Sequence, residues 1–265
     1  MLLLLTLLWS GCDTRYQAVS ETVSEQDTLL AKIERELEQK RARIEQLEAF
    51  RKRQLPRNFS EKIEEYLPSI RKYAKWYGLD WRLIVAQILK ESHFKENARS
   101  HVGAKGLMQI MPGTAQEIRR ELDIEYIMKD PRENITAGVY HMYKQLKYFP
   151  EADPDNRLKL ALAAYNCGPA RVFDAQDIAR YKRLDPYTWE AIRECLPLLT
   201  ADNWRLHLEV WEQGVPDFGF FYGYGQTIDY VDDIWEKYAL LQQMYKPDLA
   251  AISMDPATTL SLVNP

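Results

Sequence analysis

The chain has 265 residues and a formal net charge of -4. Its length allows one domain of ordinary size with appendages and excludes a large multidomain protein. The acidic balance excludes the broad basic face that nucleic-acid binding requires, so nucleic acid is not a predicted partner. Three cysteines cannot all pair within one chain, and the first of them has an explanation other than a disulfide.

The chain begins with a short apolar run that leads into a cysteine. Residues 1–11 read MLLLLTLLWSG, which is too short to span a bilayer but fits the apolar core of a signal peptide. The string LWSGC at 8–12 resembles a bacterial lipobox, with Trp9 where leucine is usual. This resemblance implies lipidation of Cys12 and an anchor on the periplasmic face of a Gram-negative envelope membrane, inner or outer. An ordinary signal peptide with an incidental cysteine is the alternative.

A charged stretch without glycine or proline occupies 28–54, after a tether predicted at 12–27. Its apolar residues follow the a and d spacing of about three coiled-coil heptads, which Lys40 interrupts. The residues of the two rows are Leu30, Ile33, Leu37, Ile44 and Leu47. The pattern predicts either a stalk that joins two copies of the chain or a single solvated helix that acts as a spacer.

Pro56 marks the start of a globular domain, predicted over 56–246 and followed by a flexible tail at 247–265. Within it, Asp80 is placed to cap an apolar helix that delivers Glu91 at its end. A carboxyl group half-surrounded by apolar side chains has a raised pKa, which suits a general acid. Most glutamates at helix ends are solvated or cap the helix, so Glu91 alone does not establish catalysis.

Two further segments accompany this glutamate. Gly103, Gly106 and the Pro-Gly pair at 112–113 predict a closely folded loop that leads into the next helix. The apolar run at 158–165 predicts a buried central helix that breaks at the following asparagine, cysteine and glycine. The loop and the end of this helix are therefore candidates for two walls of a cleft beside the acid.

These segments resemble the active-site blocks of the soluble-lytic-transglycosylase-like family. The first block begins ES at 91–92 and continues to GAKGLMQIMPGTA at 103–115, and the second is AYNCGP at 164–169. From residue 185 onward, the strings DPYTW and YGYGQTIDYV resemble the catalytic domain of the membrane-bound lytic murein transglycosylase F subgroup, with Gln226 where glutamate is usual. The resemblance implies a mainly α, lysozyme-like fold, which here follows a helical stalk.

The resemblance also implies an activity that needs no metal or cofactor. Glu91 would protonate the oxygen that joins N-acetylmuramic acid to N-acetylglucosamine in peptidoglycan. It would then accept the proton of the muramoyl 6-hydroxyl, which closes onto C1 as a 1,6-anhydro ring. The family's substrate-binding positions fall on Ser92, Met108, Gln109, Tyr165, Asn166 and Tyr230.

Two other functions stay open from the sequence. A goose-type muramidase would hydrolyse the same strands but needs a second carboxylate to hold water. Asp80, Glu96 and Asp130 are available, although a capping or solvated role suits each better. The other alternative is a catalytically silent scaffold that binds peptidoglycan.

Aromatic residues and the remaining cysteines receive structural interpretations. Trp76, Tyr77 and Trp81 are predicted to be core residues rather than sugar-stacking ones. The aromatic-rich segment at 204–224 is predicted either to wall a sugar groove or to cover the core. Cys167 is interpreted as a small buried residue, and a disulfide between Cys167 and Cys195 is the less favoured alternative.

Overall fold

The computed structural model describes the backbone of residues 3–245 and the side chains of residues 28–245. The described chain is mainly α and forms no strand, with only isolated bridges in the loop that follows Glu91. The predicted tail at 247–265 lies outside the described residues, as does the side chain of Cys12. The fold class expected from the sequence is confirmed.

The chain divides into two compact units at residue 54. The first contains helix α1, Leu3–Gln54, so the predicted tether and stalk belong to one helix. The subdivisions predicted at residues 12 and 28 remain predictions. Among the described residues, no helix is both long and apolar enough to cross a membrane.

The second unit is a bundle of nine α-helices with two short 3₁₀ turns, counted over residues 55–245. The helices are α2 Phe59–Trp76, α3 Trp81–Ser92, α4 Pro112–Leu122, α5 Pro131–Leu146, α6 Pro154–Cys167, α7 Pro169–Tyr181, α8 Trp189–Cys195, α9 Trp204–Val210 and α10 Tyr224–Met244, and the 3₁₀ turns are Leu196–Leu199 and Ala201–Asn203. Helix α6 is the predicted central helix, and its residues 160–164 are all buried. It contacts α5, α7 and α10, so most of the core is organised around it.

Helix α3 positions the predicted acid. Its start is capped by Asp80, which accepts a hydrogen bond from the backbone N–H of Arg82. Residues 83–89 are all buried, and the helix packs extensively against α10. His93 and Phe94 then adopt left-handed backbone conformations, which end the helix immediately after Glu91-Ser92. The polar end of α3 is thus the point at which a buried helix reaches a more open environment.

The loop at 99–110 is pinned to the bundle by one asparagine of α5. Asn134 is buried, donates its amide to the carbonyls of Lys105 and Ile127, and accepts the backbone N–H of Met108 at 2.8 Å. Gly106 has a positive φ, and a Cβ there would lie 2.4 Å from the Asn134 amide. The glycine predicted to allow a tight loop is therefore required by both backbone conformation and close packing.

Several side-chain predictions can be compared with the structure. Asp130 caps α5 as predicted. The core assignment of Trp76 is wrong, because its side chain is 71% exposed, two residues beyond Ala74 on the other face of α2. Tyr77 and Trp81 are partly buried, and Cys167 and Cys195 are free thiols.

The aromatic-rich segment at 204–224 contains both buried and exposed rings, and its role as a wall of a sugar groove stays a prediction. Trp211 is buried and packs edge-on against His207, which also stacks on Phe220. The side chains of Phe218 and Tyr222 are exposed. Trp211 therefore covers the core, whereas the rings of Trp204, Phe218 and Tyr222 lie at the surface.

Replacing Asn134 with alanine should destabilise the domain by about 2–4 kcal/mol, because two backbone groups of the loop and the carbonyl of Ile127 would lose their partner. The free energy of unfolding, measured by urea denaturation, tests this expectation. Asn97→Ala, on an exposed position of the neighbouring loop, is the control and should change it by less than about 0.5 kcal/mol. Equal stability of the two variants would contradict the pinning role.

Candidate active site

Glu91 lies on the last turn of α3, where its carboxyl is partly exposed among buried neighbours. The hydroxyl of Tyr230 on α10 donates a hydrogen bond to Glu91 Oε1 at 2.5 Å. Lys90, next in the chain, is directed away and pairs with Asp233 of α10 at 2.8 Å. The α3–α10 contact therefore brings a carboxylic acid and a phenol together from positions far apart in the sequence.

Burial raises the pKa of Glu91 to about 7. The hydrogen bond from Tyr230 and the positive charge of Lys90 oppose this shift, because both favour the carboxylate. No other carboxylate of the described chain contributes to it. A group with this pKa is protonated in a large share of molecules near neutral pH and can act as a general acid.

Tyr230 is held by a second contact within the core. It is buried, and burial together with the nearby Glu91 holds its pKa well above the usual range, so it stays a hydrogen-bond donor. The amide Nε2 of Gln87 donates to the Tyr230 hydroxyl at 3.1 Å. Gln87 lies one turn before Glu91 on the same face of α3. The three side chains form one hydrogen-bonded series.

The loop side of the site contains three residues that the sequence singled out. Ser92 is buried and donates to the Leu107 carbonyl at 2.8 Å, which ties the end of α3 to the loop. The Met108 side chain is fully buried and packs against Gly138, so it does not line a cleft. Gln109 is partly exposed, and its amide donates to the carbonyls of Ala98 and Gly106. These three side chains shape the loop, and only Gln109 is accessible.

The end of α6 supplies the opposite side. The Tyr165 hydroxyl donates to the Met108 carbonyl at 2.8 Å, which joins α6 to the loop. Asn166 Oδ1 accepts from the hydroxyl of Thr227 at 2.9 Å, which joins α6 to α10. Both residues are partly exposed. The structure thus brings the second block next to the first and adjacent to the start of α10.

The three carboxylates considered as a second catalytic group have other partners. Asp80 caps α3 at the end opposite Glu91 and also binds Arg82 and Tyr238. Glu96 pairs with Lys62. Asp130 caps α5. The capping role expected for Asp80 and Asp130 is confirmed, whereas Glu96, for which a capping or solvated role was expected, forms an ion pair.

Sequence reasoning missed three residues that hold the site together. Gln87 appeared as one polar position in an apolar helix, which is the signal that would have found it. Asn134 and Thr227 gave no signal, because their partners lie in distant segments. Each of these residues acts on the site through a neighbour.

The fold and the site define a class of protein, namely lysozyme-like helical domains with an acid at the end of a core helix. Residues 68–187 match the family model described as Transglycosylase SLT domain. The fold is similar to that of the 70 kDa soluble lytic transglycosylase SLT70 from Escherichia coli, with a TM-score of 0.50 and 24% identity over 68% of this chain and 24% of that one.

Curated relatives match the same region. The chain is 37% identical over 185 residues to a membrane-bound lytic murein transglycosylase F from Desulfosudis oleivorans, covering 69% of this chain and 37% of the relative. It is 32% identical over 196 residues to a membrane-bound lytic murein transglycosylase F 1 from Alkalilimnicola ehrlichii, covering 72% and 37% respectively. The chain therefore spans little more than a third of these relatives' length.

Replacing Glu91 with glutamine should stabilise the protein at pH 8 but not at pH 4.5. The folded pKa near 7 lies above the ordinary value of 4.5, so the wild type loses stability as pH rises from 4.5 to 7 and its carboxyl ionises in the fold. The variant cannot ionise at this position. Its free energy of unfolding, relative to that of the wild type, should therefore be about 1–3 kcal/mol higher at pH 8 than at pH 4.5. Urea denaturation at both pH values measures it. Glu64→Gln, at an exposed position, is the control. If the free energy of unfolding of both variants depended on pH in the same way, the raised pKa of Glu91 would be contradicted.

Proposed function

We propose that this protein is a peptidoglycan lytic transglycosylase. It cleaves the β-1,4 bond between N-acetylmuramic acid and N-acetylglucosamine and leaves 1,6-anhydro-muramoyl ends. The observation that carries the proposal is the Glu91 carboxyl, with its raised pKa and a hydrogen bond to Tyr230, in a domain of the transglycosylase SLT family. The names of the curated relatives support the same reaction class.

In the first step Glu91 acts as a general acid. Tyr230 occupies Oε1, so the proton to be donated is on Oε2, the oxygen without that partner. Transfer to the glycosidic oxygen breaks its bond to C1 of the muramoyl sugar and leaves positive charge on that sugar. The N-acetyl group of the same sugar stabilises the charge. The resulting Glu91 carboxylate is stabilised by the Tyr230 hydroxyl and by Lys90.

In the second step the same carboxylate acts as a base. It accepts the proton of the muramoyl 6-hydroxyl, whose oxygen bonds to C1 and closes the anhydro ring. Glu91 is protonated again, and no water is consumed. Because nucleophile and electrophile belong to one sugar, the step is intramolecular and its entropic barrier is low. One carboxylate therefore serves both steps.

The remaining predicted positions take supporting roles in this proposal. Gln109, Tyr165 and Asn166 are partly exposed and are assigned to glycan contacts on the two walls. Ser92 holds the loop against the end of α3. Met108 contributes its backbone, since its carbonyl binds Tyr165.

Hydrolysis by a goose-type mechanism needs a second carboxylate, and the three candidates considered above cap helices or pair with lysine. A silent scaffold has no need of a carboxyl whose pKa is raised to about 7. Neither alternative is favoured by an observation within the described residues.

We extend the proposal to the envelope. Lipidation of Cys12 would anchor the chain on the periplasmic face of a Gram-negative membrane and hold the enzyme beside its polymeric substrate. The curated relatives are named membrane-bound, which agrees with envelope association. Incorporation of a labelled fatty acid, and its loss in Cys12→Ala, tests the anchor.

Digestion of purified sacculi should release muropeptides that lack one water relative to hydrolytic products, because the 6-hydroxyl replaces water as nucleophile. Mass spectrometry of the released material measures this. Glu91→Gln should reduce release by at least about a thousandfold, since its amide keeps the shape of the side chain but cannot donate the proton.

Glu96→Gln is the matched control and should retain near-wild-type release, because Glu96 pairs with Lys62 away from the Glu91–Tyr230 pair. Reducing-end products from the wild type would contradict transglycosylation and indicate a muramidase. Binding of sacculi without any release would indicate the scaffold.

We also propose that residues 28–54 join two copies of the chain. Four apolar side chains of the a and d rows, Leu30, Ile33, Leu37 and Ile44, are between 45% and 57% exposed. A lone helix in water gains nothing from such a row, whereas a second helix would bury it. Lys40 lies in the row of Ile33 and Leu47, and its charge weakens the association of the two helices.

Sedimentation of the full chain in detergent should therefore show a dimer that Leu30→Glu or Leu37→Glu converts to a monomer, because a charge would enter the seam. Leu29→Glu is the matched control, since Leu29 is equally exposed but lies outside both rows. A monomeric wild type, or equal dissociation by Leu29→Glu, would contradict the seam.

A further inference from the structure

Gln87 is a buried polar residue that the proposed reaction does not use directly. Its side chain is fully buried in the middle of α3, between the apolar residues Ala86 and Ile88. Its Nε2 donates to Tyr230, while its Oε1 has no hydrogen-bond partner among the described residues. An amide with one unsatisfied buried atom is unfavourable where a methionine of similar volume would fit. The hydrogen bond from Nε2 to Tyr230 therefore accounts for the presence of a glutamine at this position.

The direction of the hydrogen bonds follows from the chemistry of the three groups. An amide nitrogen is a donor only, and a phenol has one hydrogen to donate. Because Gln87 Nε2 occupies an acceptor position of the Tyr230 oxygen, the single phenolic hydrogen is directed to Glu91 Oε1. The amide thus determines that Tyr230 donates toward the acid.

We propose that Gln87 is a positioning residue, which holds the Tyr230 hydroxyl as a donor to Glu91 Oε1 and so leaves Oε2 as the oxygen that protonates the substrate. The role rests on the function proposed above. It acts through Tyr230, since the Gln87 amide donates to the Tyr230 hydroxyl and not to Glu91.

The role has a consequence for the proton affinity of the acid. A donor to the carboxylate lowers its pKa, and a phenol polarised by an amide N–H is a stronger donor. The other charged and titratable groups that act on Glu91 are Lys90 of α3 and Tyr165 of α6. Lys90 is held by Asp233 of α10, which Lys237 also contacts. Gln87 forms a hydrogen bond to Tyr230 and to none of these groups, so we expect a change at Gln87 to reach Glu91 through Tyr230.

The test is a carboxyl NMR titration of Glu91 in the full chain with carbon-labelled glutamate, in which the resonance is assigned by its absence in Glu91→Gln. Gln87→Met removes the donor at nearly constant volume. The pKa of Glu91 should rise by about one pH unit in Tyr230→Phe and by about half as much in Gln87→Met. The alkaline limb of the pH profile of kcat/KM on glycan strands should move upward by the same amounts.

The double variant Gln87→Met with Tyr230→Phe distinguishes positioning from a general structural effect. If Gln87 acts through Tyr230, its replacement adds no further shift in the Tyr230→Phe background. Gln176→Met is the matched control, because Gln176 of α7 is also buried and donates its amide to the carbonyl of Pro186, in the turn that follows α7. It should lose comparable stability without moving the pKa of Glu91.

An unchanged pKa of Glu91 in Gln87→Met, or a shift that persists in the double variant, would overturn the proposal. If Gln87→Met does not fold, Gln87→Asn tests the same contact, since its amide is one methylene too short to reach Tyr230. The titration does not depend on turnover. If the wild-type protein released no anhydro product, the proposed function would be rejected. The pKa shift of Glu91 measured by NMR would still decide whether Gln87 positions Tyr230.

Discussion

The site depends on the packing of α3 against α10, which places a carboxyl group at the edge of an apolar core. Loss of hydration there raises the pKa of Glu91, while the Tyr230 hydroxyl limits the rise by stabilising the carboxylate. These opposing effects leave the pKa of Glu91 near 7, so at neutral pH this one group can both donate and accept a proton. The helix ends at His93, and Glu91 on its last turn is partly exposed although residues 83–89 of the same helix are buried.

The surrounding structure serves mainly to keep that arrangement rigid. The loop is tied to α3 by Ser92, to α5 by Asn134 and to α6 by Tyr165. Each tie uses a side chain on one element and a backbone group on the loop, so the loop conformation is specified without a strand or a disulfide in the described region. The ring closure of the proposed reaction needs the sugar held in one orientation, and rigid walls would meet that requirement.

The helical unit ahead of the domain has a different physical character. Leu30, Ile33, Leu37 and Ile44 of its heptad rows are exposed, whereas the domain buries a large apolar core. Such a helix gains stability from a partner more than from its own sequence. Anchoring and pairing would both confine the enzyme at a surface, and a polymeric substrate that cannot diffuse makes such confinement useful.

Local sequence determined the helices, the caps of Asp80 and Asp130, the glycine loop and the position of Glu91 at a helix end, because these features depend on neighbours a few residues apart. Resemblance added Tyr165, Asn166 and Tyr230. Only the tertiary structure decided that Tyr230 bonds to Glu91 from 139 positions away, that Gln87 reaches the same hydroxyl across 143, and that Met108 points into the core. Periodicity reports which face of a helix is buried but not which distant group meets it, and hydrogen bonds between elements leave no local pattern.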